Sequence, residues 1–217
     1  MADELGLVKP RLRGVLHQYA FFVSLALGAA LIAVAPAGRP KLASTIYALT
    51  VSGLLGTSAL YHRVNWSLRV RAWMRRLDHS MIYVLIAGTY TPFALLVLSG
   101  TLARAILSGV WAGAPAGIIL KFVWITAPRW VTAALYLALG WAAVAALPDL
   151  ASALGPVAIA LLMAGGLFYT AGAVVYALKR PDPAPTVFGY HEIFHVLVVA
   201  AAAAHFAVVA FYVMPRH

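Results

Sequence analysis

The sequence contains no cysteine and very few acidic residues. Without cysteine the chain can form no disulfide framework, no thiolate nucleophile and no cysteine-bound metal centre, so a soft-metal site would have to use histidine. Only 6 of the 217 residues are Asp or Glu, against 16 Lys and Arg, and charged residues make up 10% of the chain. This scarcity of charge, beside 64% hydrophobic residues, excludes an ordinary soluble domain and indicates an integral membrane protein.

The net charge of +10 does not indicate a nucleic-acid-binding protein. The basic residues lie in short gaps between apolar runs, where anionic lipid head groups are the expected partners. Residues 1–13 contain no short apolar core followed by a cleavage site, so this stretch is interpreted as a cytoplasmic tail and not as a signal peptide.

Seven apolar segments are long enough to cross a hydrocarbon core of about 30 Å, for which roughly 20 helical residues suffice. The predicted segments are 14–35, 42–62, 77–98, 103–124, 130–147, 153–177 and 188–213, separated by glycines and prolines. The predicted fold is therefore an all-α integral membrane protein, with a tail over 1–13 and a seven-helix transmembrane domain over 14–217.

The basic residues predict the orientation of these segments. Twelve of the sixteen fall on the side of the N-terminus, and the other four are Arg39, Lys41, Arg104 and Arg216. Because Lys and Arg are enriched in cytoplasmic loops, the N-terminus is predicted to be cytoplasmic and the C-terminus to lie outside.

Histidines and a carboxylate recur at one predicted depth in three separate segments. His191 and His195, one helical turn apart at the head of the seventh segment, can direct one ring nitrogen each at a single ion. The second segment runs toward the same side and ends with Ser58 and His62, and the third begins with Asp78. Ionisable side chains within membrane segments are costly, so this coincidence indicates a functional site.

Three histidines favour a catalytic zinc site, in which a fourth position is left for water. His62, His191 and His195 are the candidate ligands, and Asp78 would orient that water or act as a general base. Ser58 shares a helical face with His62. It could hold a substrate carbonyl, an Asp78 oxygen or the water, or it could simply be a small hydroxyl at a helix contact.

The remaining histidines have plainer interpretations. His17, alone near the start of the first segment, is read as an interfacial anchor or a helix-packing donor. His79 lies about 100° around the helix from Asp78 and is expected to contact a head group or a hydrogen-bond partner. His205 lies about 15 Å along the helix from His195, so a packing contact or a polar contact in a channel is expected.

The run from His191 to His195 also matches the H-E-x-x-H motif, in which the glutamate is a metalloprotease base. No acidic residue follows Glu192 to serve as a third ligand, and Ala201 stands where the extended motif places a third histidine. An intramembrane metalloprotease is therefore a weaker alternative, in which Glu192 and not Asp78 would be the catalyst.

Three motifs, in this order, resemble those of the progestin and adipoQ receptor family, which includes the adiponectin receptors, and in particular its bacterial hemolysin III branch. An S-x-x-x-H element runs from Ser58 to His62, an aspartate motif from Leu77 to Ile82, and an H-x-x-x-H signature from His191 to His195, followed by His205. The resemblance extends from about His17 to Val213 and agrees with seven segments and a cytoplasmic N-terminus.

The resemblance implies a zinc ion near the inner leaflet of a bacterial plasma membrane, held by His62, His191 and His195. Asp78 and Ser58 would be the catalytic residues close to the water on that ion. Related alkaline ceramidases imply a zinc-dependent hydrolase of a lipid amide such as ceramide. The alternative is a non-enzymatic receptor-like or haemolytic protein with structural zinc, and the oligomeric state stays open.

Overall fold

A computed structural model of the protein describes residues 9–124 and 126–216, and within them the chain forms eight α-helices and no β-strand. Residues 1–8 of the predicted tail lie outside the described residues. The helices are α1 (Val15–Val34), α2 (Arg39–Arg63), α3 (Leu68–Leu96), α4 (Gly100–Val123), α5 (Arg129–Gly140), α6 (Leu147–Leu154), α7 (Pro156–Leu178) and α8 (Tyr190–Val208).

Seven helical units are long and apolar enough to cross a membrane. Helices α5 and α6 form one of these units, because a 3₁₀ turn over Trp141–Ala146 joins them. Helix α8 continues through a π turn over Val209–Val213 and a 3₁₀ turn over Met214–Arg216. The prediction of an all-α protein with seven membrane-spanning helices is confirmed, whereas the orientation of the termini and the division at residue 14 stay predictions.

Two of the predicted boundaries were wrong. Helix α3 begins at Leu68, well before the predicted start at residue 77, because an arginine-rich stretch that is unfavourable in lipid remains favourable in a helix. Pro148 does not end the fifth segment. It lies in the first turn of α6, where its missing N–H is not needed, and the break comes at Gly155, whose φ is +84°.

Helices α2 and α3 lie in the middle of the bundle. In the most apolar 18-residue window of each helical unit, 67% of the residues of α2 and 56% of those of α3 are buried, against 17–28% in the other five. Large apolar side chains such as Phe22 and Val23 on α1 are exposed, as expected for a surface that faces lipid. The central pair is therefore well placed to present polar side chains to the interior.

Polar side chains collect at one end of the bundle, which we call the histidine end and define by His62, Asp78, His191 and His195. Helix α2 ends here and α8 begins here, while Asp78 lies in the third turn of α3. Three helices therefore bring these residues to a single level.

Candidate metal centre

Helix α2 carries two of the site residues in its last two turns. Ser58 and His62 are separated by one turn and are both buried, because this face of α2 packs into the middle of the bundle. The helix ends one residue after His62, at Arg63, and the backbone at Val64 is extended. His62 is thus held at the level where α8 begins.

The start of α8 is fixed by the buried carboxylate of Glu192. Its Oε2 accepts a hydrogen bond from the Gly189 backbone N–H at 2.8 Å, which completes a capping box. Its Oε1 accepts a hydrogen bond from Arg13 Nε at 2.5 Å, so the helix start is also tied to the segment before α1. These contacts set the depth of His191 and His195 in the first two turns.

The three predicted ligands converge. One ring nitrogen from each of His62, His191 and His195 lies within 4.8 Å of the others, and the Nε2 atoms of His62 and His191 are 3.2 Å apart. A tetrahedral zinc site with Zn–N bonds of about 2.0 Å separates its ligand nitrogens by about 3.3 Å. This group could therefore bind a metal ion, and three neutral imidazoles suit zinc among other borderline metals.

Asp78 lies beside this group without touching it directly. Its Oδ2 is 4.0 Å from His62 Nε2, which is beyond hydrogen-bonding distance but close enough for a small molecule to bridge the two. The Ser58 hydroxyl on α2 lies beside the Asp78 carboxylate. The carboxylate thus faces the histidines from α3 and has Ser58 of α2 as a polar neighbour.

His79 is held away from the centre by two hydrogen bonds. Its Nδ1–H donates to the Arg75 carbonyl at 2.8 Å, so its Nε2 accepts from the Tyr176 hydroxyl at 3.1 Å. The Asp78 Oδ2 lies 3.8 Å from His79 Nδ1, too far for a third hydrogen bond. Of the two alternatives for His79, the structure favours a hydrogen-bond partner over a head-group contact.

His205 has a separate role in packing. Its Nε2–H donates to the Leu162 carbonyl on α7 at 3.1 Å, and its ring lies against Gly165, where a Cβ atom would collide with it. The glycine therefore allows α7 and α8 to approach closely around the imidazole. His205 thus makes the packing contact that was one of its two predicted roles, and it also lines the apolar cavity inside the bundle.

His17 belongs to the histidine end, and of the two interpretations given for it the structure contradicts the interfacial anchor and favours a contact between helices. Only 2% of the residue is exposed, its ring stacks on that of His195 with centroids 3.7 Å apart, and its Nδ1 lies 2.9 Å from Ser58 Oγ. A sequence signal was available, because the first segment starts on the same predicted side as the seventh, which places His17 at the depth of His191.

Glu192 does not occupy the position of a protease base. One of its oxygens accepts from Arg13 and the other from the Gly189 N–H, so both are engaged at the helix start. Its carboxylate instead forms a buried ion pair with Arg13. The H-E-x-x-H match thus reflects two histidines on one face and a capping glutamate on another.

An apolar cavity of about 190 Å³ extends from the histidine end into the bundle. Asp78, His79 and His191 line it at one end, and Leu150 lines it near the opposite end of the fifth unit. Nearly all the residues between them are aliphatic or aromatic. The site can therefore receive a molecule that has a long apolar part and a polar group at one end.

Comparison with known proteins agrees with the family that the motifs indicated. Residues 5–206 match the family model described as Haemolysin-III related. The chain is 34% identical over 196 residues to Hemolysin-3 of Bacillus cereus, covering 88% of this chain and 86% of that protein. It is 34% identical over 168 residues to the Hemolysin-3 homolog of Bacillus subtilis (strain 168), covering 77% and 76%.

A similarity also exists to a human protein. The chain is 29% identical over 170 residues to the monocyte to macrophage differentiation factor of Homo sapiens, covering 76% of this chain and 68% of that protein. The match to the family model over nearly the whole chain, together with the seven membrane-spanning helices, establishes that this protein belongs to the Haemolysin-III related family of multi-pass membrane proteins.

Proposed function

We propose that this protein is a zinc-dependent hydrolase of lipid amide bonds, with its site near the cytoplasmic leaflet of a bacterial inner membrane. One observation carries the proposal: the apolar cavity ends at Asp78 and His191, beside the group of three imidazoles. A lipid amide such as ceramide has the matching shape, because its apolar chains end at a polar carbonyl and amide. The cavity would exclude bulk water from that end.

Each polar residue has a role in this proposal. His62, His191 and His195 would hold the ion, which would act as a Lewis acid on the carbonyl oxygen and make a water molecule nucleophilic at neutral pH. Asp78 would accept the proton of that water and return it to the leaving amine. Ser58, which lies beside Asp78, would donate a hydrogen bond to the carboxylate and keep it directed toward the histidines.

Anionic lipid head groups are the proposed partners of the basic residues at the histidine end. Lys9 lies just before α1, where burial, and then the positive charges of Arg63, Arg71 and Arg13, lower its pKa. Such a concentration of positive charge supports a face that lies against an anionic leaflet. It also supports the cytoplasmic placement of this end of the bundle.

The proposal is tested with purified protein in lipid nanodiscs. We expect about one zinc ion per chain by mass spectrometry and release of fatty acid from an N-acyl lipid. His191→Ala should remove both the zinc and the hydrolysis, whereas Asp78→Ala should keep the zinc and lose the hydrolysis, because only His191 would be a ligand. Zinc bound at full occupancy, with no hydrolysis across a broad panel of lipid amides and esters, would overturn the proposal.

A second function is favoured by the names of the bacterial relatives, which are called Hemolysin-3 and its homolog. In that case the protein would perturb membranes, and its metal would be structural. Asp78→Asn separates the two functions in erythrocytes exposed to the expressed protein. Lysis that persists in the variant would support the second function, and lysis that disappears would point back to chemistry.

A further inference from the structure

We propose that His17 on α1 is a positioning residue of the histidine end, with two separable roles. By stacking it fixes the ring plane of His195, and by hydrogen bonding it directs the Ser58 hydroxyl toward Asp78. The effect on turnover rests on the proposed function. The effect on metal retention rests only on metal binding by the three histidines and not on hydrolysis.

The Ser58 hydroxyl lies between two polar groups. Its Oγ is 2.9 Å from His17 Nδ1, and the Asp78 carboxylate lies beside it. In the ionised form that the proposed function requires, the Asp78 carboxylate can only accept, so Ser58 would direct its proton to Asp78 and His17 would donate its Nδ1–H to the Ser58 oxygen. The resulting order is His17 to Ser58 to Asp78, which allows one orientation of the hydroxyl.

The stacking contact of His17 acts on the ring of His195 and not on Ser58. The rings of His17 and His195 are nearly parallel, with an interplanar angle of 10° and centroids 3.7 Å apart. A flat surface at this distance prevents the His195 ring from turning about its Cβ–Cγ bond. A ligand held in one orientation loses less conformational freedom when it binds an ion, so the stack should slow metal release.

The start of α1 is tied to the centre at two further points. Arg13 donates to Glu192, and Gly14 lies so close to His62 that a Cβ atom there would be 2.5 Å from the His62 Cβ. The rest of α1 is largely exposed, and the buried residues within it are His17, Gly28 and Leu31. This tethering indicates that the first turn of α1 is part of the construction of the site and not only a neighbouring span.

Two substitutions separate the two roles. His17→Phe keeps an aromatic ring to stack on His195 but cannot donate to Ser58. His17→Asn can place an N–H near the former Nδ1 position but has no ring. Tyr19→Phe is the matched control on the same helix, because Tyr19 is 69% exposed and remote from these contacts.

Four quantities are measured on each variant: the half-life of zinc release to excess chelator, the visible spectrum of the cobalt-substituted protein, kcat and KM. For His17→Asn we expect zinc release to accelerate by about tenfold, with a changed cobalt spectrum. For His17→Phe we expect release within about twofold of the parent, and a fall in kcat by about tenfold to a hundredfold with little change in KM. Saturating zinc should restore turnover in His17→Asn.

A double-substitution cycle distinguishes the loss of this one hydrogen bond from general damage to the fold. Ser58→Ala removes the same hydrogen bond from its other side, so His17→Phe with Ser58→Ala should lower kcat no further than Ser58→Ala alone. Independent, additive losses would overturn the proposal. So would parallel changes in zinc release and kcat in both His17 variants, or a lowered unfolding temperature with neither quantity changed. If the parent protein hydrolyses no lipid amide, the proposed function fails, and zinc release and the cobalt spectrum still decide the stacking role.

Discussion

Two histidine environments on α8 differ in what their ring nitrogens face. His191 Nε2 is directed at His62 Nε2, 3.2 Å away, whereas His205 Nε2 donates to the Leu162 carbonyl at 3.1 Å. Both lie on the same helix and both are partly buried. The difference is one of partners and not of burial.

This difference separates a binding site from a packing contact. A neutral imidazole has one donor and one acceptor nitrogen, so a histidine bound to a backbone carbonyl has already used its proton. Three imidazoles that face one another can share protons only in part, and a cation satisfies all three lone pairs at once. Histidines at membrane depth should therefore be interpreted by what they face, because their presence alone does not distinguish the two roles.

The largest expected effect comes from removing one histidine from each of these two environments. We expect His62→Ala to lower bound zinc from about one ion per chain to a small fraction, because two imidazoles remain. His205→Ala should keep the zinc and lower the free energy of unfolding by about 1–3 kcal/mol, through the lost hydrogen bond and the space it leaves. Mass spectrometry of the metal and thermal unfolding in detergent measure the two effects.

Equal loss of zinc in both variants would show that the two environments are not separate. Full zinc occupancy in His62→Ala would remove that residue from the ligand set. His205→Gln is a milder control for the packing contact, since its longer side chain can place an amide N–H near the former Nε2 position and still donate to the Leu162 carbonyl.

The two acidic side chains that cap the start of α8 should differ in how much they stabilise the protein. Glu192 is buried and bonded to Arg13, whereas Asp182 accepts from the exposed Tyr190 N–H at 2.9 Å. Breaking a buried ion pair is strongly destabilising, so Glu192→Ala should lower the free energy of unfolding by about 3 kcal/mol. Asp182→Ala should cost about 1 kcal/mol, as for an ordinary cap.

Glu192→Gln adds a test of chemistry to this pair. The amide oxygen can still accept from the Gly189 N–H, so the helix start should survive. Under the proposed function, turnover per folded protein should stay within about threefold of the parent, since Glu192 has no part in proton transfer. A metalloprotease that used Glu192 as its base would instead lose its activity.

Much of the site could be predicted from the sequence, because the depth of a residue in a membrane span follows from the number of residues between it and the end of the span. Ser58, His62, Asp78, His191 and His195 were placed at one level in this way, and the structure brings them together. Their catalytic and metal-binding roles stay predictions. The helix boundaries were less predictable, since hydropathy indicates where lipid ends and not where a helix ends, as α3 and Pro148 illustrate.

Two side-chain contacts could not be predicted from the sequence, because they depend on how distant segments pack against each other. Arg13 and Glu192 are 179 residues apart, and no motif links them. His17 stands alone in the first segment, so spacing gives no sign that it stacks on His195. The predicted depth of each residue reduces the number of residues that could contact one another. The rotation of each helix about its axis then decides which of these side chains are in contact.

The smallest expected effect comes from two glycines with positive φ. Gly14 lies in the left-handed helical region, with φ +77° and ψ −3°, where alanine is strained by about 1 kcal/mol. Gly38 has φ +93° and ψ −138°, a conformation essentially restricted to glycine, so alanine there is strained by about 1–3 kcal/mol. Only at Gly14 would the added Cβ also meet a neighbour, the His62 Cβ, while nothing lies within 4 Å of that position at Gly38. We therefore expect both variants to lose stability and only Gly14→Ala to release zinc several-fold faster, because it displaces a ligand. Half-lives of zinc release to a chelator measure this difference, with each variant assayed equally far below its own unfolding temperature. Equal release rates in the two variants would mean that His62 can shift without affecting the ion, and that the close packing of α1 against the centre does not control the site.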